Sequence, residues 1–339
     1  LAGITHLEEF SKPSLRALVD ETVKNQTPSV IDQYVGNEVT YDTKFAYDII
    51  KRSNHIAAMI GLGAEKPVVD RHATATRMGE IAHFGLKDVV TVEELYALNQ
   101  ARNGGEKNAM VDKLVNRSID LVEWLQLRIN VEKVKAVALG VNEYNKNGVK
   151  IALDYGIPTE HKKALTSGND WDETDRDVIG DLLAWDEQYR ETNGQSADAI
   201  LMTRQALSKL TKNELIIAES GRPTGAIRVS EAEVQNVLAS YGLPKIEIID
   251  ETSVTVKDIY TGDNETIEIF PVNRVVFIAK GVGNFLTGPN PDSQNFEPVA
   301  TLDAYDERTP RRSIIEVAQS GFAVLDNPNL LLHADVFTV

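Results

Sequence analysis

Asp170, Asp172 and Asp175, in the run SGNDWDETDRD, come nearest to a reactive constellation, because closely spaced loop carboxylates are the oxygen donors that calcium takes. The spacing then fails. The sixth position, where the sharp turn requires glycine, is Asp175, and the twelfth is Asp181 instead of a bidentate glutamate. A solvated acidic loop is the expectation. The six histidines, His6, His55, His72, His83, His161 and His333, form no His-x-x-x-His pair of the kind zinc hydrolases use, and read as single surface or packed side chains. Ser220-Gly221 and Ser320-Gly321 stand in no nucleophile elbow, and Gly281-Val282-Gly283 lacks the third glycine and the helix that a nucleotide would need. Paired carboxylates are too numerous for spacing to single one out. The sequence therefore predicts no catalytic constellation, no cofactor and no metal.

Composition narrows the classes further. The chain has 339 residues, 42% hydrophobic and 25% charged, which suits a folded protein larger than one simple globule. Its formal charge of −16 opposes tight binding to a phosphate backbone, so a DNA-reading domain is excluded. No cysteine is present, which removes disulfides and thiolate metal sites. The longest apolar runs, such as Val275 to Ala279, fall far short of the roughly 20 residues that cross a bilayer. Charge is uneven: residues 51–90 hold six Lys/Arg against four Asp/Glu, whereas residues 170–198 hold two against ten.

The elements that would position any site alternate between helix and strand. A short helix is expected over Ser14–Lys24, with Ser14 as cap and Leu15, Leu18, Val19 and Val23 on one side. The rest of residues 1–50 reads as an extended arm that docks on another surface. Ala57 to Leu86 reads as a long Gly-punctuated hairpin, and two strands alone are marginal in water, so this one needs support from a neighbour or from the chain's own core. Val111, Leu114, Val115, Ser118, Val122, Leu125 and Ile129 recur at helical spacing and predict a long helix over Glu106–Glu132. Lys135–Val141 and Val149–Asp154 then read as a strand pair turning at Asn145, Asn147 and Gly148. Helices are expected at Asp177–Glu191, Gln205–Leu210 and Glu231–Ser240. Strands are expected at Ala199–Met202, Ile246–Ile249, Ser253–Tyr260, Glu265–Phe270, Arg274–Ile278 and Arg312–Leu325. This interleaving predicts an α+β fold with helices on sheet faces.

Four stretches in this order carry a resemblance. They are TRMGEIAHFGLKDVVTVEELY, Trp185 with Asp198 to Leu210, NRVVFIAKGVGNFLTG at Asn273 to Gly288, and RRSIIEVAQSGFAVLDNPNLLLHADVF near the end. Together they resemble the lambda-like phage major capsid protein E family, which has the Hong Kong 97-type capsid fold, from about residue 55 to 339. The first fifty residues match least.

The resemblance implies a division into an N-terminal arm (1–50), an E-loop (51–92), a P-domain with a spine helix (93–165 and 295–325) and an A-domain (166–294 and 326–339). It implies a shell subunit and no enzyme, self-assembling into pentamers and hexamers of an icosahedral capsid in the virion, made and assembled in the host cytoplasm. The implied partners are further copies of the chain, a scaffolding protein, a portal, a decoration protein and packaged double-stranded DNA without sequence-specific contacts; no membrane is involved. Candidate inter-subunit contacts are Lys66, Arg71, Arg77 and Glu80 in the hairpin and Asp170, Asp172, Asp175 and Asp177 in the acidic loop. An encapsulin-like compartment is the nearest alternative, and a cytoplasmic α+β enzyme with a pocket and shifted carboxylates is the more distant one.

Overall fold

The computed structural model describes residues 3–42, 44–50, 74–80, 82–146, 149–223, 225–257 and 262–339. Near its start the chain forms α1 (Lys12–Asn25), capped by Ser11 and not by Ser14, whose hydroxyl instead donates to the Glu8 carbonyl at 2.8 Å. Leu15, Val19 and Thr22 face inward, while Val23 is exposed. Strand β1 (Val35–Val39) follows, then β2 (Lys44–Ile50), β3 (Thr74–Glu80) and β4 (Ala82–Val90). A reciprocal cap between Thr91 and Glu94 starts α2 (Val92–Asn99).

Asn103 caps α3 (Gly104–Leu139), whose 36 residues span about 54 Å at 1.5 Å per residue. The helix passes through Lys135 and ends at Gly140, whose positive φ of 66° lets its N–H close on the Ala136 carbonyl. The strand expected from Lys135 is therefore helix to Leu139. Strand β5 (Val141–Lys146) starts after it and pairs with β6 (Val149–Asp154). The alternation Lys133-Val134-Lys135-Ala136-Val137 mimics a strand, but in the helix it is a nearly encircled segment, with Lys133 buried because Asp32 takes its ammonium at 2.7 Å.

The second half supplies β7 (Lys162–Ala164), α4 (Val178–Asn193), β8 (Ala199–Met202), α5 (Arg204–Leu210), α6 (Glu214–Glu219), α7 (Glu231–Ser240), β9 (Lys245–Ile248), β10 (Ser253–Lys257) and β11 (Asn264–Glu268). The chain then forms β12 (Arg274–Ile278), β13 (Gly283–Gly288), β14 (Thr301–Arg308), β15 (Arg311–Val324) and β16 (Leu331–Asp335). This is the α+β fold that the sequence predicts.

Two sheets organise it. In the first, β15 is central. One flank pairs with β4 along Ser313–Gly321; the other pairs with β14 and then with β13, and β1 lies parallel outside β13. The second sheet runs β7-β16-β12-β8-β9. Two apolar clusters fill the interior. One joins α1, α2, the first part of α3 and the middle of β15; the other joins the end of α3, the end of β15, the second sheet and its helices. The long helix and the long strand thus each cross both cores. Residues 3–34 also pack here, with Ile4, Phe10 and Leu15 buried and the Ile4 N–H donating to Ser313 Oγ at 3.3 Å. They lie on their own body, because their apolar positions complete the groove between α3 and β14 that polar residues would leave open.

Side chains of the second sheet hold the end of α3. Arg274 grips Asp335 with two bonds of 2.8 and 2.9 Å and donates to the Ala138 carbonyl at 2.9 Å, while His333 Nε2 lies 2.8 Å from the Val137 oxygen. Burial, then the nearby Arg274 charge, pushes His333 down to about 3, so the ring is neutral and Nε2–H donates to that oxygen. Burial also lowers His161, which bridges the Leu331 carbonyl and the Thr192 hydroxyl at 2.8 Å each. Tyr155 donates to the Ala323 carbonyl at 2.6 Å and ties the chain after β6 to β15.

Candidate assembly surface

Strands β2 and β3 pair antiparallel from Lys44↔Glu80 to Ile50↔Thr74, and among the described residues this ladder joins no other strand. Its two roots spring from opposite edges of the first sheet, where one row of registers runs Val39↔Thr287↔Gly321↔Ala82. On the β1 side, Asn284 Nδ2 bonds both Glu38 at 3.2 Å and Asp326 at 3.0 Å. Burial and then the Glu38 charge raise the Asp326 carboxyl above its ordinary range. On the β4 side, Arg117 of α3 clasps Asp88 and Glu94, at 2.5 and 2.9 Å.

Of the hairpin candidates, Lys66 and Arg71 lie outside the described residues, as does the segment 51–73 that would form the distal part of the expected Ala57–Leu86 hairpin. Arg77 stands opposite Tyr47, and Glu80 opposite Lys44. The partner of the outgoing strand, β2, lies inside what reads in the sequence as the arm. Ala82 to Leu86, expected in the hairpin, instead belongs to β4 in the body sheet.

The acidic candidates are largely occupied within the chain. Asp170 is buried; one oxygen accepts the Asp172 N–H at 3.1 Å and the other the Thr338 hydroxyl at 3.4 Å. Asp172 pairs with Lys209, and Asp177 caps α4 by accepting the Gly180 N–H at 2.8 Å. Asp175 and Asp177 are both exposed and make no ion pair among the described residues, but Asp177 is taken up by its cap. The loop is pinned by Arg176, which forks onto Asp181 at 3.0 and 2.5 Å and reaches Asn169 at 2.5 Å. Among the described residues no group of three or more acids and histidines could hold a metal ion.

One constellation has the residue types of a nucleophilic triad and was not legible in the sequence. His83 Nδ1 lies 3.1 Å from Ser320 Oγ, and Nε2 lies 3.2 Å from Asp292. Ser320 is buried in mid-ladder between β13 and β4, so no carbonyl substrate reaches its hydroxyl. The trio fastens β4 to the loop after β13. Large apolar side chains face outward at widely separated places instead, among them Tyr41 at 79%, Trp124 at 55% and Ile227 at 86% exposure.

Residues 17–336 match the sequence profile of the phage major capsid protein E family. The chain belongs to that family. Its members are structural proteins of the phage capsid, and this chain is a major capsid protein. The fold agrees. A putative capsid protein of a prophage of Escherichia coli CFT073 is similar with a TM-score of 0.62 at 11% identity, covering 96% of this chain and 98% of that one. A phage-related protein from Bordetella bronchiseptica RB50 gives 0.55 at 12%, covering 94% and 96%, and a chain of the capsid structure of cyanophage P-SCSP1u gives 0.52 at 11%, covering 91% and 88%. No curated protein matches the chain significantly. Among the described residues no helix is long and apolar enough to cross a membrane.

Proposed function

We propose that copies of this chain form pentamers and hexamers that close into an icosahedral shell around a scaffold, with a portal through which double-stranded DNA is packaged. In this reading residues 1–50 are the arm, whose last residues also give β2 of the ribbon, 51–92 the E-loop, whose end returns to the body sheet as β4, 93–165 and 295–325 the P-domain built on α3, and 166–294 and 326–339 the A-domain. Assembly takes place in the host cytoplasm, and the chain performs no catalysis. A decoration protein binds the outside of the finished shell.

The observation that carries the reading is the β2–β3 ladder, in a chain whose family builds capsids. A two-stranded ribbon is marginal in water, and a neighbouring copy supplies the surface that stabilises it. Specific interfaces bury about 1,200 to 2,000 Å², and several modest ones per subunit give a strong shell while each stays reversible during assembly. Lys66, Arg71 and Arg77 make the hairpin a basic finger on an acidic protein, suited to the acidic surface of a neighbour. Electron microscopy of the protein expressed with its scaffold tests the whole, with closed particles expected and dispersed monomers refuting it. Lys66→Glu, Arg71→Glu and Arg77→Glu together should impair shell formation while the subunit stays folded, and unimpaired assembly would sink the electrostatic docking.

A further inference from the structure

At the tip of the β14–β15 hairpin, Arg308 and Arg311 stand directly opposite each other, both exposed and neither in an ion pair among the described residues. Like charges in facing positions destabilise a ladder. The next pair inward shows the ordinary solution, with Arg312 bonded to Glu307 at 2.5 Å. A protein of charge −16 that keeps two facing guanidinium groups at a projecting turn presents a site for an anionic partner.

The same chain carries a receptor of the opposite character. A groove of about 800 Å³ lies between the second half of α1 and the middle of α3. Glu21 on one wall and Glu123 on the other are exposed without ion pairs among the described residues. The charge of Lys133 in its floor is already taken by Asp32 at 2.7 Å. Asn130, which also lines the groove, is already committed to Glu251, to which it donates at 2.7 Å. Exposed carboxylates on both walls fit the donor fork of a guanidinium.

Tip and groove lie apart along α1. Ile4 and Thr5 touch the hairpin at Ser313 and Asp306, Lys12 lies by Asp303, and the groove begins only at Leu18. We propose that Arg308 and Arg311 of one copy dock in the α1–α3 groove of the next, a head-to-tail contact between subunits. The proposal rests on the shell reading above. A head-to-tail contact generates a ring or a closed shell when its rotation closes.

Charge exchange tests it in the full chain with its scaffold. Arg308→Glu with Arg311→Glu, and separately Glu21→Arg with Glu123→Arg, should each lower particle yield by at least about tenfold, as loss of two charge-assisted contacts predicts. All four changes in one chain should restore the yield to within about threefold of the unmodified protein, because each acidic tip then meets a basic groove. Circular dichroism checks that every variant is folded. If the four-fold variant assembles no better than either pair while the unmodified protein forms shells, the docking is wrong and the shell reading stands. The docking is equally overturned if Arg308→Glu with Arg311→Glu assembles normally and loses only packaged DNA, which would assign the tip to nucleic acid. Absence of particles from the unmodified protein would overturn the shell reading and the docking with it.

Discussion

His333 gives the fold a calculable weakness to acid. The ring is held neutral with a pKa pushed down to about 3, against an ordinary value of 6.5, by burial and by Arg274. A histidine whose folded pKa is depressed leaves stability intact above 6.5 and removes it as pH falls toward 3, since the unfolded chain then binds a proton that the folded one refuses. A pH of 5 lies one and a half units below the unfolded ring's pKa of 6.5, which corresponds to a loss of about 2 kcal/mol relative to neutral pH. His333→Gln retains an N–H for the Val137 carbonyl but cannot be charged. Urea unfolding of the unassembled subunit at pH 7 and pH 5 should show the unmodified protein losing about 2 kcal/mol more than the variant across that interval. Parallel losses in both proteins would refute a buried neutral His333. His161, lowered by burial in the same direction, stays in the variant, so some acid sensitivity should persist.

Three further outcomes follow from named contacts. Asp326→Asn should raise the melting temperature at pH 7. Burial and Glu38 raise the Asp326 pKa, so the folded state holds its proton more tightly and stability declines as pH climbs through the raised value; an unchanged or lower melting temperature counts against this. Arg274→Met removes both bonds to Asp335 and the cap on Ala138, at a cost of about 2 kcal/mol in urea unfolding, and a loss below about 0.5 kcal/mol would show that the clasp is dispensable. Gly321→Ala would place its Cβ 2.5 Å from the Phe285 ring, so calorimetry should show destabilisation of about 1 to 3 kcal/mol, partly recovered by adding Phe285→Leu; no recovery would mean that the clash lies with the backbone.

Elements with strong local signals were legible in the sequence. Helix α7 starts where expected because Ser230 and Glu233 form a reciprocal cap and ends just before the positive-φ Gly242, and β8 and β12 match because each is a short apolar run bounded by polar residues. Strands β1 and β14 were missed, since each lies at a sheet edge and alternates in ways that a polar loop also does. The tail of α3 reads as a strand because nothing local says that Lys133 finds Asp32, 101 residues away, and becomes a core residue. The acidic loop was legible as a loop, but the partners that absorb Asp170 and Asp172 come from Thr338 and Lys209, which no local pattern connects to it. Interface residues depend on neighbouring copies, and tip and groove emerge only when the register sets Arg308 against Arg311.

The nine-residue pairing of β4 with β15 also has a mechanical meaning. In the proposed shell a pull on the β2–β3 ribbon would enter the body through β4 as well as through β1. The hydrogen bonds of β4 to β15 lie across the strand axis, so they would be loaded together in shear instead of being unzipped one at a time. The load would then spread from β15 into both apolar cores, and this strand pair would serve the subunit as a tendon.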